Sequence, residues 1–592
     1  MTQTVERALH SFSGKIWQPR TEVTDFYRAL TKKCGLSPLF TPIIAHRGLK
    51  DEIQVEQFLR PLLKHLADPA GLLDMQVAVD RLVQAIEAGE KLAVFGDFDV
   101  DGATSSALMV RYFRSLGITI RVYIPDRLTE GYGPNPGAMK VLAEEGVSLV
   151  VTVDCGITGY EAFEEAQRLG LDVIVTDHHQ GREVLPKALA LINPNRLDDP
   201  FPHKELAGVG VAFYLLMALN RALRNRGYFS SRAEPVLRSF LDLVAVGTIV
   251  DVASLTGINR PLVAVGMQVL QENRNIGLQA LMEVAHIKGT LSAGQVGFQI
   301  GPRINAGGRL GKGPIGSELL QTEDVERAAQ IADELEQANR ERRALEDKML
   351  RQAMAKIESE RLLERGKTLV LAEYEWHAGV IGIIASRIAD RYYRPTVIIA
   401  LDADGKGKGS GRSIAGVNLL AGIESCADCL LGFGGHKAAA GLSIEAHQVE
   451  RFAKDFEQAI SQNCAPHLFN PSLSYDGTLQ LSDVTLETVS RLERLQPFGR
   501  GNPEPVFLIE NVRLMDARVL KESHVKCQLS DQNDQVIDTI SFRVLPGELG
   551  EGLLKIGRWI DVIGTLSINR FRNRETVQLI LKDARPARGF NS

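Results

Sequence analysis

Between about residues 75 and 255, short apolar runs alternate with amphipathic segments. "KLAVFGD", "VSLVVTVD" and "DVIVTD" are rich in β-branched residues and predict buried strands. The intervening segments have apolar residues at helical spacing, as in "ATSSALMVRYFRSLG". Because strands alternate with helices, this region is predicted to form a parallel sheet covered by helices on both faces.

A long polar segment follows this region. Residues 322 to about 360 contain no glycine or proline, and Thr322 is a suitable N-cap ahead of Glu323 and Asp324. The pattern predicts one long helix that bridges two domains. A second α/β block is predicted from about 366 to 465, where "KTLVLAE" and "PTVIIAL" are typical of buried strands.

In the last part of the chain, apolar and polar residues alternate with a period of two. "LQPFGRGNPEPVF" (495 to 507) has the proline and glycine content of a linker. After it, alternating segments predict strands that close into a small barrel. The predicted divisions are an N-terminal segment (1–69), a parallel-sheet domain (70–320), a linking helix (321–365), an α/β domain (366–465), a linker (466–504) and a barrel (505–592).

Composition narrows the class of protein. A chain of 592 residues with 44% hydrophobic and 24% charged residues is multidomain and globular. Its apolar runs are shorter than a membrane span and its start lacks a signal-peptide core, so we expect a cytoplasmic protein. The net charge of −5 gives no sign that the protein binds nucleic acid. Cys426 and Cys429 lack further ligands nearby, which favours reduced thiols over zinc.

Acidic residues follow several of the predicted strands. In "VFGDFDVDG" they recur at every second position, and "VTDHH" adds two histidines. Ligands of open parallel sheets bind outside the carboxyl ends of the strands, so these side chains should converge there. The converging residues are Asp97, Asp99, Asp101, Asp154, Asp177, His178, His179 and Asp251.

Six carboxylates in one crevice would repel one another, and divalent cations resolve that repulsion. Oxygen ligands with one or two imidazoles suit Mn²⁺ or Mg²⁺, and the number of ligands suits two ions. Paired metals of this kind hydrolyse phosphoesters. Asp177 is the least secure ligand, because it could instead orient an imidazole from outside the metal shell.

The motifs also resemble a known family. "DFDVDG", "VDCG", "TDHH" and "GTIVDV" resemble the DHH phosphoesterase superfamily. "GPRINAGGRLG", "WHAGVIGIIASRIADRYYRP", "GKGSGRSI", "GFGGHKAAAG" and "LQPFGRGNPEPVF" resemble its RecJ branch. The resemblance implies an α/β DHH domain, a DHHA1 domain and a C-terminal OB-fold. It also implies a single-strand-specific DNA exonuclease that works 5′ to 3′, releases mononucleotides and serves DNA repair and recombination. Single-stranded DNA, a single-strand-binding protein and a helicase are the implied partners.

The resemblance implies roles for the residues of the acidic cluster. It makes Asp99, Asp101, Asp154, His178 and Asp251 metal ligands, with Asp97 beside them and Asp154 bridging two ions. His179 would contact the scissile phosphate, and Arg303 would stabilise phosphoryl charge. For Arg303, a structural salt bridge is the alternative.

Further contacts are implied outside the cluster. Arg127, Ser410 and Arg412 match positions that would grip the 5′-phosphate, and His436 would approach the strand. Trp376 and Phe433 could stack on bases, although core packing is the more common role. Residues 570–592 carry six basic and two acidic residues, a pattern that suits a single-strand groove on the OB-fold or a solvated face.

Two other functions compete with this interpretation. A DHH/DHHA1 phosphodiesterase could act on short oligoribonucleotides or dinucleotides, but it would not need the barrel. A replication scaffold with a decayed active site is the non-enzymatic alternative, and the intact set of acids and histidines argues against it.

Overall fold

A computed structural model describes residues 11–126, 130–272, 274–309, 314–571 and 574–587. The chain divides into two compact units. The first unit contains residues 53–341 and 495–504. The second contains the described residues up to 52, residues 342–494, and those from 505 onward. No helix among the described residues is long and apolar enough to cross a membrane.

The first unit is built on a sheet of five parallel strands, as the sequence predicts. Its central strands are fully buried because helices cover both faces. "ITIRVYIP" forms a shorter strand than its apolar length suggests. In spatial order the strands are Arg121–Tyr123, Leu92–Gly96, Leu149–Val153, Asp172–Thr176 and Ala190–Ile192.

Helices surround this sheet and extend beyond it into a helical region. The largest apolar cluster of this unit contains residues of both the sheet and the helical region, from Leu72 to Leu335. The helices are Glu52–Leu59, Met75–Ala88, Val100–Ser115, Pro136–Glu144, Tyr160–Arg168, Gly208–Asn225, Leu241–Val250, Asn259–Gln271, Ile276–Val284, Ala293–Gln295, Gly301–Arg309 and Ile315–Gln321. Short 3₁₀ helices occupy Leu63–His65, Pro69–Gly71, Tyr228–Ser230 and Leu237–Phe240, and a π-helix occupies Val296–Ile300.

The predicted long helix is present as Val325–Ser359, 35 residues that contribute to both units. Its N-terminal cap differs from the sequence prediction. Asp324 Oδ1 accepts hydrogen bonds from the backbone N–H groups of Glu326 and Arg327, at 2.9 and 3.0 Å. Thr322 instead ends the preceding helix. The prediction of Thr322 as the cap was therefore wrong, because the nearer aspartate satisfies the free amides of the first turn.

The second unit contains a mixed sheet that corresponds to the predicted second α/β block. Its first two strands are parallel and the others antiparallel. In spatial order they are Leu430–Gly435, Ala439–Glu445, Lys406–Arg412, Thr396–Leu401 and Leu369–Glu373. The helices are Leu362–Arg365, Ile381–Tyr392, Leu419–Glu424 and Val449–Asn463, with 3₁₀ turns at Ala427–Cys429, Ala446–Gln448 and Pro466–Phe469. Cys426 and Cys429 are buried free thiols.

The predicted barrel is also present. Five strands form the barrel through antiparallel and parallel pairings. The barrel is closed because its first strand pairs with both its second and its fourth strand. A bulge between Ile509 and Val512 bends the first strand at this closure. The strands are Phe507–Leu520, His524–Ser530, Val536–Ser541, Trp559–Phe571 and Arg574–Pro586. Gly477–Leu479 extends the sheet, and the helices Leu486–Glu493 and Glu548–Leu553 and the 3₁₀ turn Leu481–Asp483 complete the region.

The N-terminal segment joins the second unit through a strand. Ile16–Pro19 pairs in parallel with Ser472–Tyr475, and the Trp17 indole donates a hydrogen bond to Asp583. Two helices follow, Asp25–Lys33 and Phe40–His46.

The proline- and glycine-rich segment is ordered within the first unit. Residues 495–504 group with that unit, and Asn502 is fully buried. The Asn502 amide donates to the carbonyl oxygens of Leu495 and Pro497, at 2.8 and 2.7 Å. Arg260 Nη2 donates to the Gln496 carbonyl at 3.0 Å. These bonds fix residues 495–502 as a tight turn.

Candidate metal centre and nucleic-acid contacts

The first three acids lie where strand Leu92–Gly96 meets helix Val100–Ser115. Asp99 is the N-cap of that helix, and its carboxylate accepts hydrogen bonds from the amides of Asp101 and Gly102, at 2.9 and 3.2 Å. A Cβ at Gly102 would lie 2.3 Å from the Asp97 carbonyl oxygen. Glycine therefore lets the helix begin directly against the backbone that carries Asp97.

A second helix holds Asp101. The backbone N–H groups of Gly208 and Val209 donate to the two oxygens of the Asp101 carboxylate, at 2.6 and 2.9 Å. Both amides belong to the first turn of helix Gly208–Asn225, where the N–H groups have no partner inside the helix and the dipole favours an anion. The helix thus fixes the orientation of a carboxylate that is only 1% exposed.

The remaining acids come from other segments and meet at one imidazole. His178 Nε2 lies 3.2 Å from Asp154 Oδ1, 3.8 Å from Asp101 Oδ2 and 4.0 Å from Asp251 Oδ2. Asp154 follows a strand and has a φ of +60°, a conformation that Asp and Asn tolerate better than most residues. Asp251 is the C-cap of helix Leu241–Val250.

The structure brings the predicted ligands together. Three overlapping groups each have their ligand atoms within 4.8 Å of one another. Asp154 belongs to two of these groups, which fits the bridging position that the resemblance implies. The groups are Asp97, Asp99 and Asp154; Asp101, His178 and Asp251; and Asp154, His178 and His179.

The carboxylates interact unfavourably with one another. Burial raises the pKa of Asp101 and of Asp154, and neighbouring negative charges raise both further. Burial, followed by the charge of Asp99, raises the pKa of Asp251 to about 7. Without a cation, the folded protein therefore holds these groups together at a cost in stability.

The pKa values of the two adjacent histidines shift in opposite directions. Burial, followed by the charge of His179, lowers the pKa of His178 to about 4, which leaves its Nε2 neutral. Burial also opposes a charge on His179, but the hydrogen bond of its Nδ1 with Asp177 Oδ1, at 2.8 Å, outweighs that effect and raises its pKa to about 9. Asp177 also accepts from three backbone amides, so its carboxylate orients the histidines.

The donor set fits a divalent cation. Asp154 Oδ1 and His178 Nε2 are buried, and neither has a hydrogen-bond partner within the described part of the chain. A neutral imidazole nitrogen among carboxylate oxygens is the ligand set that Mn²⁺ and Mg²⁺ accept, the imidazole favouring Mn²⁺. A positive ion at this point would satisfy both atoms and remove the repulsion among the acids.

A cavity of about 290 Å³ opens beside the acids and contains residues that the sequence did not single out. Tyr132 Oη lies 3.3 Å from His179 Nδ1 and 3.4 Å from the Asp154 carbonyl oxygen. Asn305 and Gly308 line the cavity from helix Gly301–Arg309. "GPRINAGG" contained the signal for Asn305, whereas no spacing rule marks Tyr132.

Arg303, on the same helix, is engaged elsewhere. Its Nε lies 2.8 Å from Glu336 Oε2, and its Nη1 donates to the Gln299 carbonyl at 2.6 Å. Residues two apart on a helix point to different sides. Since Asn305 faces the cavity, the buried ion pair of Arg303 corresponds to the structural alternative, and its contact with phosphoryl charge stays a prediction.

Three of the predicted phosphate contacts lie at one end of the mixed sheet. Arg412 Nη1 donates to Ser410 Oγ at 3.1 Å, and burial lowers the pKa of the Arg412 guanidinium. Within the described residues no carboxylate pairs with it. Arg412 lies opposite Ala439, whose carbonyl accepts from the N–H of the exposed His436. Arg127 lies outside the described residues.

A glycine brings a helix terminus to the same place. A Cβ at Gly382, in the first turn of helix Ile381–Tyr392, would lie 3.0 Å from Arg412 Nη2 and 3.1 Å from Ser410 Oγ. A guanidinium, a hydroxyl and the N-terminus of a helix therefore meet in one small region. This combination of donors is suited to a phosphate group.

Two of the basic side chains at the end of the barrel form ion pairs, which leaves them less available to bind nucleic acid than the sequence suggests. Arg570 pairs with Glu493 and Glu575, and Arg585 Nε lies 3.0 Å from Asp561 Oδ2. Arg572 and Arg588 lie outside the described residues.

Of the candidate stacking aromatics, Trp376 is only 5% exposed and packs in a core, whereas Phe433 is 40% exposed on an edge strand.

The first test replaces Asp154 by asparagine, which suits a φ of +60°. Removing a charge from the crowded cluster should raise the melting temperature in chelator by about 2 °C or more. The same substitution should abolish the stabilisation by Mn²⁺, measured as a thermal shift. Asp74→Asn is the matched control: Asp74 also has a φ of +60° but pairs with Arg196 at 2.7 Å. That variant should be less stable than wild type and still respond to Mn²⁺. An undiminished Mn²⁺ shift in Asp154→Asn would contradict the assignment.

The second test introduces a methyl group beside the cluster. A Cβ at Gly208 would lie 2.6 Å from Asp154 Oδ1 and 2.9 Å from its Cα. Because overpacking of this kind costs about 1–3 kcal/mol, Gly208→Ala should weaken Mn²⁺ binding by about tenfold or more in calorimetry. Gly210→Ala, on the same helix, would meet only the tip of Leu206 and should bind Mn²⁺ normally. Equal affinities for the two variants would show that the close approach at Gly208 is unimportant.

Family models match three parts of the chain. The DHH family N-terminal domain matches residues 91–248, the DHHA1 domain residues 365–462, and the RecJ OB domain residues 475–583. The first two ranges contain the parallel sheet and the mixed sheet, and the third covers most of the barrel together with residues that precede it. They confirm the predicted fold class.

Full-length relatives extend the comparison. The chain is 36% identical over 572 residues to the single-stranded-DNA-specific exonuclease RecJ of Bacillus subtilis, covering 96% of this chain and 70% of that protein. It is 38% identical over 566 residues to the Escherichia coli protein of that name, covering 93% and 96%. The crystal structure of Thermus thermophilus RecJ in complex with Mn²⁺ superposes with a TM-score of 0.81 at 30% identity, covering 97% of this chain and 80% of that one. The chain therefore belongs to the RecJ family of exonucleases.

Proposed function

We propose that the protein is a metal-dependent exonuclease that hydrolyses single-stranded DNA from the 5′ end to mononucleotides, in DNA repair and recombination. The observation that carries this proposal is the cluster of Asp154, His178 and their neighbouring acids, which forms three overlapping groups whose ligand atoms each lie within 4.8 Å of one another. Membership of the RecJ family supports the strand specificity, because the relatives are named single-stranded-DNA-specific exonucleases. The polarity is implied by the resemblance of the motifs to the RecJ branch.

The cofactor is Mn²⁺ or Mg²⁺, and the paired ligand groups suit two ions. Asp97 and Asp99 would hold one ion, and Asp101, His178 and Asp251 the other, with Asp154 shared between them. Bound cations supply the Lewis acidity that phosphodiester hydrolysis requires at neutral pH. The chain itself contributes a set of ligands that its backbone holds in place before substrate arrives.

His179 presents a positive charge to the substrate. Its Nδ1 is hydrogen-bonded to Asp177 at 2.8 Å, which keeps the imidazolium protonated and fixes the ring. Tyr132 borders the same cavity and restricts the movement of that ring. An oriented imidazolium is suited to contact a phosphodiester oxygen, whose negative charge it stabilises as the bond is cleaved.

Ser410 and Arg412 grip the 5′-phosphate. Arg412 is a largely buried cation, and within the described residues its hydrogen-bond partners are neutral oxygens. Burying a cation is costly unless an anion accompanies it. A terminal phosphate would supply that anion, and recognition of the chain end would limit cleavage to it. His436, at the same end of the sheet, is suited to contact the following nucleotide.

The barrel distinguishes this function from that of a dinucleotide phosphodiesterase. OB-folds bind several nucleotides of a single strand, which a substrate of two residues does not need. We further propose that a helicase and a single-strand-binding protein are partners, because a single-strand-specific enzyme needs duplex ends to be opened. Family resemblance is the basis of that part of the proposal.

The direct test compares substrates of one sequence labelled at the 5′ end. With Mn²⁺, a 5′-phosphorylated single strand of about 30 nucleotides should release labelled mononucleotide, and the blunt duplex should be degraded at least about tenfold more slowly. Adding a helicase and ATP should restore degradation of the duplex. Equal rates on strand and duplex, or cleavage of dinucleotides alone, would contradict the proposal.

The 5′-phosphate contact predicts a substrate-dependent defect. Arg412→Gln should lower kcat/KM on the 5′-phosphorylated strand by about 10- to 100-fold, the effect of losing a charged hydrogen bond. It should change kcat/KM on the 5′-hydroxyl strand much less, because that strand lacks the missing partner. Lys406→Gln, on the same strand but about 20 Å away, should leave the preference unchanged. A uniform loss on both substrates would remove Arg412 from this role.

A further inference from the structure

Residues 499–502 form a turn that lies against the segment following Asp251. Gly499 and Asn502 pair through two backbone hydrogen bonds, at 2.9 and 3.1 Å. The Leu255 N–H donates to the Arg500 carbonyl at 2.8 Å. Gly501 has a φ of +74°, and a Cβ there would lie 2.1 Å from Ser254 Oγ. The turn is therefore held against the backbone four residues beyond a metal-site carboxylate.

This turn carries an exposed arginine, Arg500. Its Nη1 lies 3.5 Å from the carbonyl oxygen of Val252, a long hydrogen bond. Val252 is a β-branched residue with a φ of +59°, which is an unusual conformation for this residue type. The backbone is thus turned so that the Val252 carbonyl and Arg500 lie at the rim of the acidic cluster.

Arg500 lies close to the metal site. Its hydrogen-bond partner Val252 directly follows Asp251, one of the proposed metal ligands. In the part of the chain that the structure describes, no carboxylate lies within ion-pair distance of the guanidinium. The exposed guanidinium therefore has donors that remain available to an anion.

We propose that Arg500 binds a backbone phosphate of the substrate strand, one phosphodiester away from the bond that is hydrolysed. The inference rests on the proposed nuclease function. Once cations neutralise the carboxylates of the cluster, a substrate phosphate is the anion that remains at this rim. The planar guanidinium can donate two parallel hydrogen bonds to such a group. Arg500 is thus a positioning residue that acts from a turn far along the sequence.

The test uses Arg500→Gln and Arg500→Lys in the full chain, with Arg226→Gln as control. Arg226 is an exposed arginine of the same unit that pairs with Glu87 and Asp80. With Mn²⁺ and a 5′-phosphorylated single strand, Arg500→Gln should lower kcat/KM by about 10- to 100-fold, mainly through KM. Arg500→Lys should recover part of the loss, and the control should match wild type.

A binding measurement identifies the phosphate without requiring hydrolysis. In Ca²⁺, the slope of log affinity against log salt should be smaller by about 0.7 for Arg500→Gln, the value for one lost contact on a single strand. A methylphosphonate at each of the first four linkages in turn should weaken wild type at one linkage where it leaves Arg500→Gln unaffected. The melting temperature and Mn²⁺ affinity should stay close to those of wild type.

The outcomes separate this inference from the proposed function. An unchanged salt slope, with the same methylphosphonate penalties as wild type, would overturn the phosphate contact even if the enzyme degrades single strands. Loss of Mn²⁺ affinity without rescue by lysine would also overturn it, because the guanidinium would then serve only to hold Val252. Salt and methylphosphonate effects as expected in a protein that does not degrade DNA would leave the contact standing and contradict the nuclease function.

Discussion

Mutual repulsion among buried carboxylates is the constraint on which the first unit depends. Asp101 and Asp154 are each about 2% exposed or less, and each lies within reach of further acids. Burial and like charge both raise their pKa values. A chain gains nothing in stability from such a cluster, so its presence at the carboxyl ends of the strands indicates that cations complete it.

Backbone N–H groups supply the hydrogen bonds that stabilise these carboxylates. Two backbone amides of helix Gly208–Asn225 bind the Asp101 carboxylate. Two amides in the first turn of helix Val100–Ser115 bind the carboxylate of Asp99, which caps that helix. Asp177 collects three amides and the ring of His179. Helix N-termini and turns thus offset part of the repulsion and fix the ligands. At Arg412 the situation is reversed, because a half-buried cation lies beside the first turn of a helix, and both the cation and the helix dipole favour an added anion there.

Much of this arrangement was predictable because strand direction alone places Asp97, Asp154 and Asp177 at one edge of a parallel sheet. Other features depend on contacts that no local pattern encodes. Asn305 rather than Arg303 lines the cavity because of which helix face packs against Glu336. Asp324 rather than Thr322 caps the long helix. The turn that carries Arg500 has the composition of a linker, and only the folded chain places it beside Asp251.

The most direct test is to locate the cations. Crystals grown with Mn²⁺, measured at the manganese absorption edge, should show two anomalous peaks in the first unit. One peak should be coordinated by Asp97 and Asp99 and the other by Asp101, His178 and Asp251, with Asp154 contacting both. Saturating Mn²⁺ without a peak at these residues, or with the ions held by other side chains, would contradict the account.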